Sequence, residues 1–79
     1  MTIQNPIARG EHAKRLLEDE LLIEAFEEVE RDIFDEWKKT SSADHSERAE
    51  LFHTLKGLER LKGRLQAILD DALVAKSRS

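Results

Sequence analysis

The sequence predicts an all-α fold, an antiparallel helical hairpin with a short N-terminal helix, completed by self-association. Three observations predict it. Apolar residues recur at helical spacing through two long segments: Leu22, Phe26, Val29, Ile33 and Trp37 in the first, and Leu51, Leu55, Leu58, Leu61, Leu65, Ile68, Leu69, Ala72 and Leu73 in the second. A single polar cluster without periodicity, Thr40 to Asp44, separates them, and no alternation of β-branched residues suggests a strand. The apolar arc of the second segment is wider than one partner helix covers.

The first element is a short helix over residues 7–18. Asn5 supplies an N-cap and Pro6 occupies the first helical position, where its fixed φ suits the helix and its missing N–H costs nothing. Gly10 weakens this helix. The second helix, residues 19–39, cannot simply continue the first. At about 100° per residue, with Leu22 as zero, Phe26, Val29, Ile33 and Trp37 fall between about −20° and +60°, whereas Ala13, Leu16 and Leu17 fall near 180°, 120° and −140°. A straight helix would aim its first third at solvent, so a break is expected near Glu18-Asp19-Glu20, with Asp19 as a new N-cap.

The turn follows at Thr40 to Ala43, and Asp44 with Glu47 has the D-x-x-E spacing of a capping box that starts the third helix, residues 44–75. Residues 76–79 read as a tail. With Leu51 as zero, the apolar side chains of this helix span about 200°, from Ile68 near −100° to Phe52 near +100°. On the second helix Ile23 and Phe34 sit about 100° and 120° from Leu22, off the main stripe. Two helices and a short third one leave these residues uncovered. Self-association through Ile23, Phe34, Phe52, Leu61 and Ile68 is the direct remedy, with the first helix as the alternative cover. Trp37, the only tryptophan, either closes the hairpin end with Phe34 and Phe52 or joins them in an exposed docking patch.

Composition excludes more than it assigns. The 79 residues amount to at most one domain, residues 1–79. No cysteine is present, which removes disulfide scaffolds, thiolate metal sites and thiol nucleophiles together. The longest apolar run, Ala72 to Ala75, is far shorter than the ~20 residues a bilayer span needs, and Met-Thr-Ile-Gln-Asn has no basic or apolar leader character. A soluble, intracellular protein with no membrane partner is expected.

No catalytic constellation emerges. Ser41, Ser42, Ser46, Ser77 and Ser79 lie where hydroxyls cap backbone groups, and the glycines form no phosphate-binding loop. Glu50 and His53 make one E-x-x-H pair, the spacing that carboxylate-bridged di-iron bundles use, which Glu27 or Glu30 would have to complete. His53 points away from the seam, so no metal and no cofactor are expected. His12 and His45 read as solvated.

Charge is strongly segregated. Thirteen Lys and Arg against 17 Asp and Glu leave a net charge of −4, and ten of those acids lie between Glu18 and Glu36 with Arg31 as the one base among them. Lys56, Arg60, Lys62 and Arg64 crowd the stretch from Leu55 to Leu65 against one acid, Glu59. Side by side in a hairpin, the two stretches complement each other. Lys56, Arg60 and Arg64 also form a stripe away from the seam, which could meet phosphates or the acidic helix of another subunit.

The run AKRLLEDELLIEAFEEVERDIFDEW, a short polar turn and ERAELFHTLKGLERLKGRLQAIL resemble small helical-hairpin proteins encoded in tailed-bacteriophage and prophage gene clusters, commonly among head and packaging genes. The resemblance spans Ala13 to Ala72 and is carried by Leu16-Leu17, Ala25-Phe26, Trp37, Glu47-Arg48, Leu51, Leu55-Lys56, Leu58 and Leu65. The chain departs from the family at Glu20, where proline is common, and at its ending. The resemblance implies a non-enzymatic virion-assembly or genome-packaging accessory, in the bacterial cytoplasm or the virion, with phage structural or packaging proteins as partners. A DNA-packaging subunit using Lys56, Arg60 and Arg64, or an acidic inhibitor of a nucleic-acid-binding protein, is the alternative.

Overall fold

The computed structural model describes residues 5–78; the leader reading at Met1 to Gln4 and the capping role of Ser79 lie outside them. The described residues form three helices and no strand: α1 is Pro6–Glu18, α2 is Glu20–Lys39 and α3 is His45–Ser77.

Local chemistry sets the boundaries. The Asn5 side chain accepts from the N–H groups of Ile7 and Ala8 at 2.9 and 3.3 Å, so the capped start with Pro6 at the first position stands as expected. Asp19 serves both neighbours. Its extended backbone ends α1, its N–H donates to the Leu16 carbonyl at 3.2 Å, and its carboxylate accepts from the Leu22 N–H at 2.9 Å to begin α2. Glu47 and Asp44 do not form the expected capping box, because Asp44 turns back into the loop and accepts from the Ser41 N–H and hydroxyl at 2.8 and 3.2 Å. Helix α3 also runs through residues 76 and 77, assigned to a tail from sequence. The Ser77 hydroxyl donates to the Val74 carbonyl there, and Lys76 pairs with Glu11 at 3.5 Å, tying the last turn to α1.

The break at Asp19 makes α1 and α2 a bent counterpart of α3. Their 13 and 20 residues together equal the 33 residues of α3, which at about 1.5 Å per residue is a rod of roughly 50 Å. The molecule measures 55 × 24 × 22 Å. Contacts run in opposite chain senses, from Thr40 with Arg48 beside the turn, through Glu30 with Lys62, to Gly10 with Ala72 at the far end.

The α1–α3 contact is built from small residues. Ala13 and Ala72 are only 3% and 2% exposed, and Gly10 is buried with them. A Cβ on Gly10 would overlap that of Ala72 and lie 3.4 Å from the Ile68 carbonyl oxygen, so glycine lets the two backbones approach. Its cost to helix propensity is offset by this packing.

On α2 only Ile33 is buried and on α3 only Ala72, which faces α1; Leu22, Phe26, Leu51, Leu55 and Leu58 are half-buried. The α3 seam follows alternate steps of four and three through Leu51, Leu55, Leu58, Lys62, Leu65, Leu69 and Ala72, a coiled-coil spacing with a lysine in one core position. Glu30, not Val29, meets it at 3.1 Å, and the Lys62 ammonium lies 5.6 Å from the Phe26 ring centre. Val29, placed on the stripe by periodicity, is exposed. Among the described residues no helix is long and apolar enough to cross a membrane.

Candidate functional site

At the turn end the two long helices are held apart by large side chains that they do not cover. Phe34 and Trp37, one turn apart on α2, stack with ring centres 6.4 Å apart and planes 8° from parallel. Phe52 faces them from α3 across a cleft of about 250 Å³ floored by Ile33, Leu51 and Leu55, with Glu30 at one end. Phe34 is 56% exposed, Phe52 54% and Trp37 41%. The aromatics therefore line this cleft at the turn end while staying about half exposed.

Cations frame this cleft. Arg48 lays its guanidinium 4.4 Å from the Trp37 ring centre, while its Nε donates to the Thr40 hydroxyl at 2.7 Å. That hydroxyl in turn donates to the Trp37 carbonyl, so buried Thr40 is satisfied in both directions and the end of α2 is locked to the start of α3. Lys38 lies 4.7 Å above Phe34 and Lys56 5.5 Å from Phe52. Each contact orients an aromatic ring without removing it from water.

Ile23 extends the same face. It lines a smaller hollow of about 90 Å³ with Leu16, Leu22 and Phe26 where α1 meets α2. Eleven residues separate it from Phe34, about 20° around the helix, so both lie on one flank. The structure thus brings together Ile23, Phe34, Trp37 and Phe52. It does not bring in Leu61 or Ile68. Leu61, although exposed, is nine residues from Phe52 and therefore about 180° around α3, on the opposite flank. Ile68 is half-buried beside Gly10. The 200° arc read from the sequence is real but divided: α1 takes part of it, and the remainder faces two different ways.

The charged stretches meet less than their proximity in sequence terms suggested. Glu30 with Lys62 is the one ion pair between α2 and α3 among the described residues; Lys56 instead pairs with Glu59 on its own helix at 3.3 Å. Arg60 and Arg64 are exposed and have no ion pair among the described residues.

Among the described residues no three His, Asp or Glu side chains converge as a metal site requires. His53 is exposed with its ring edge-on to Phe52, and Glu30 meets Lys62, nine residues or about 14 Å further along α3. Ser41 bonds Asp44 and Ala43 within the turn.

Two features escaped sequence reading: Gly10 as a packing residue and Lys62 as a seam residue. The four–three spacing through Lys62 was the available signal for the second, hidden by the neighbouring Leu61. No family model matches this chain, and neither does any curated protein or solved structure.

Proposed function

We propose that this protein is a non-enzymatic helical oligomerising protein, an antiparallel hairpin that assembles with further copies of itself and serves as a virion-assembly or genome-packaging accessory of a tailed phage. Its partners are then a second copy and phage structural or packaging proteins, with no cofactor. The phage context rests on the resemblance between Ala13 and Ala72. Self-association rests on one observation, the large surface that this elongated protomer leaves uncovered, Ile23, Phe34, Trp37, Phe52 and Leu61 among its exposed side chains. The protomer exposes 6360 Å², whereas a compact chain of 9.1 kDa exposes about 4,900 Å². Its radius of gyration is 16.7 Å against about 12 Å for a compact chain of this length. The excess is more than about 1,000 Å², the order that one partner contributes to a stable interface, about 800 Å². Sedimentation equilibrium across micromolar concentrations tests this reading. A species of at least twice 9.1 kDa, about 18 kDa, is expected, and a monomer at every concentration overturns it.

A second reading, binding of nucleic acid by the Lys56, Arg60 and Arg64 stripe, rests on Arg60 and Arg64 being exposed and without an ion pair among the described residues. It requires a gel-shift complex at low salt whose affinity falls with a log–log slope of about −0.9 per phosphate neutralised. An unchanged complex in the triple alanine variant would exclude the stripe.

A further inference from the structure

We infer that copies of this chain also associate side by side, the outer edge of α2 in one copy lying along the outer edge of α3 in the next. This rests on the self-association proposed above and adds a contact separate from the aromatic cleft.

The two edges are opposite in charge. From Glu20 to Glu28 the side of α2 turned away from α3, about 120–220° from buried Ile33, carries Glu20, Glu24, Glu27 and Glu28 and nothing else. From His53 to Ala67 the side of α3 turned away from α2, about 80–200° from Leu55, carries Lys56, Arg60 and Arg64 with His53 and small residues, and no acid. Among the described residues neither those four glutamates nor Arg60 and Arg64 have an ion pair, and Lys56 has only Glu59 on its own helix. The edges lie on opposite sides of the hairpin, so they cannot meet within one chain. A net charge of −4 opposes a polyanion on the basic edge, whereas every further copy brings carboxylates to it at matching spacing.

Spacing sets the register. Helices α2 and α3 run antiparallel, and copies laid side by side in one orientation keep that relation. With Glu24 level with the partner's Arg60, Glu20 is level with the partner's Arg64 and Glu28 with the partner's Lys56, since both edges advance by four residues, about 6 Å, per step. Glu27 comes within one residue of the same level as Glu28. Beyond this ladder Arg31 stands level with the partner's His53. Asp35 comes within one residue of the level of the partner's Glu50, a like-charged approach, but Asp35 is already paired with Lys38 at 3.7 Å. The register is shifted by eight residues, about 12 Å, from that inside the protomer, where Glu30 lies beside Lys62, so neighbouring copies are staggered.

Leu21 and Leu61 select the orientation. They are 75% and 54% exposed, and each lies about 240° from the seam residue of its helix, leaning from the edge toward the face opposite the aromatic cleft. In this register Leu21 falls within two residues of the level of the partner's Leu61. Turning alternate copies over would keep a charge ladder but set the two leucines on opposite faces. The contact is heterologous, acidic edge to one neighbour and basic edge to another, so it repeats instead of closing at two copies.

Salt and two charge-reversed variants provide the test. At about 0.1 M salt, where charges act over about 10 Å, sedimentation of the native chain is expected to show species heavier than the roughly 18 kDa of two copies; at about 1 M salt these fall to about 18 kDa or less. One variant carries Glu20→Lys, Glu24→Lys and Glu28→Lys; the other carries Lys56→Glu, Arg60→Glu and Arg64→Glu. Each alone is expected to stop at about 18 kDa or below, and a one-to-one mixture to regain the heavier species, because reversed α2 meets reversed α3 and native edges meet each other. The salt comparison needs no variant, so it decides the matter even where a variant loses helicity by circular dichroism. A native chain that stops at two copies in low salt, a variant that grows as the native chain does, or a mixture that stays small while both variants keep native helicity overturns the edge contact and leaves self-association standing. So does a duplex-DNA complex that the Lys56→Glu, Arg60→Glu, Arg64→Glu variant loses while the native chain alone does not grow. A native monomer at every concentration overturns both.

Discussion

The two ends of the rod are packed by opposite means. Where α1 meets α3, Gly10, Ala13 and Ala72 bring backbones close and are themselves buried, while Leu16, Leu73 and Val74 beside them stay exposed; where α2 meets α3, much larger side chains leave Ile33 as the one buried apolar residue and three aromatic rings about half in water. Large apolar groups stabilise a fold only when something covers them, at roughly 25 cal/mol per Å² removed from water. The small residues finish their contact within one chain. The aromatic end keeps three large rings about half in water, which is why a second copy is proposed to lie there. The joint between the two regimes is Asp19, which turns the apolar stripe from one side of the broken helix to the other.

The strongest break in this comparison is Gly10→Ala. A Cβ there meets the Ala72 Cβ, fixed to its backbone, so α1 must lift off α3. Overpacking of this kind costs about 1–3 kcal/mol, more than the roughly 1 kcal/mol that alanine gains in helix propensity. Thermal melting should show a net loss of about 1 kcal/mol or more, several degrees in Tm for a chain of this size. A rise in Tm would mean that α1 is not seated on α3 as described.

Asp19→Ala should cost about 1 kcal/mol by removing the acceptor for the Leu22 N–H. It acts on the joint, so amide exchange should accelerate in Leu21 to Ile23 before it does in α3. Uniform acceleration across all three helices would make Asp19 an ordinary surface residue.

Gly57→Ala has the opposite sign. Nothing lies within 4 Å of a Cβ built there, so the helical preference of alanine is gained without overlap, and about 0.5–1 kcal/mol of added stability is expected in denaturant melts. Destabilisation would show that this stretch of α3 is covered. One residue type thus behaves in two ways, decided by which end of the rod it occupies.

Much of the architecture was legible in the sequence because it is written in local signals. Asn5-Pro6, the rotation of the apolar stripe at Asp19 and the polar cluster after Lys39 each specify a boundary through backbone chemistry, and each stands. What was illegible depends on proximity between distant segments. Gly10 reads as a weak helix residue until Ala72 is beside it, and Val29 reads as core until Glu30 is found paired with Lys62 and Val29 exposed. Asp44 offered two acceptors to either neighbour, and the loop N–H of Ser41 took one. The binding face was legible in part for the same reason: angles on one helix are exact arithmetic, so Ile23 and Phe34 emerged together. Summing Phe52 and Leu61 into one arc hid that they point apart, a difference visible only once the position of the partner helix is known.

The central claim, that the aromatic end is an interface between copies, is tested most directly by Trp37, the chain's only tryptophan and a wall of the aromatic cleft. Its fluorescence should shift to the red on serial dilution from high micromolar concentration, with a midpoint matching that of sedimentation, while far-ultraviolet circular dichroism stays constant; Phe34→Glu should hold the red-shifted emission at every concentration. An emission maximum that ignores both dilution and Phe34→Glu would contradict the account.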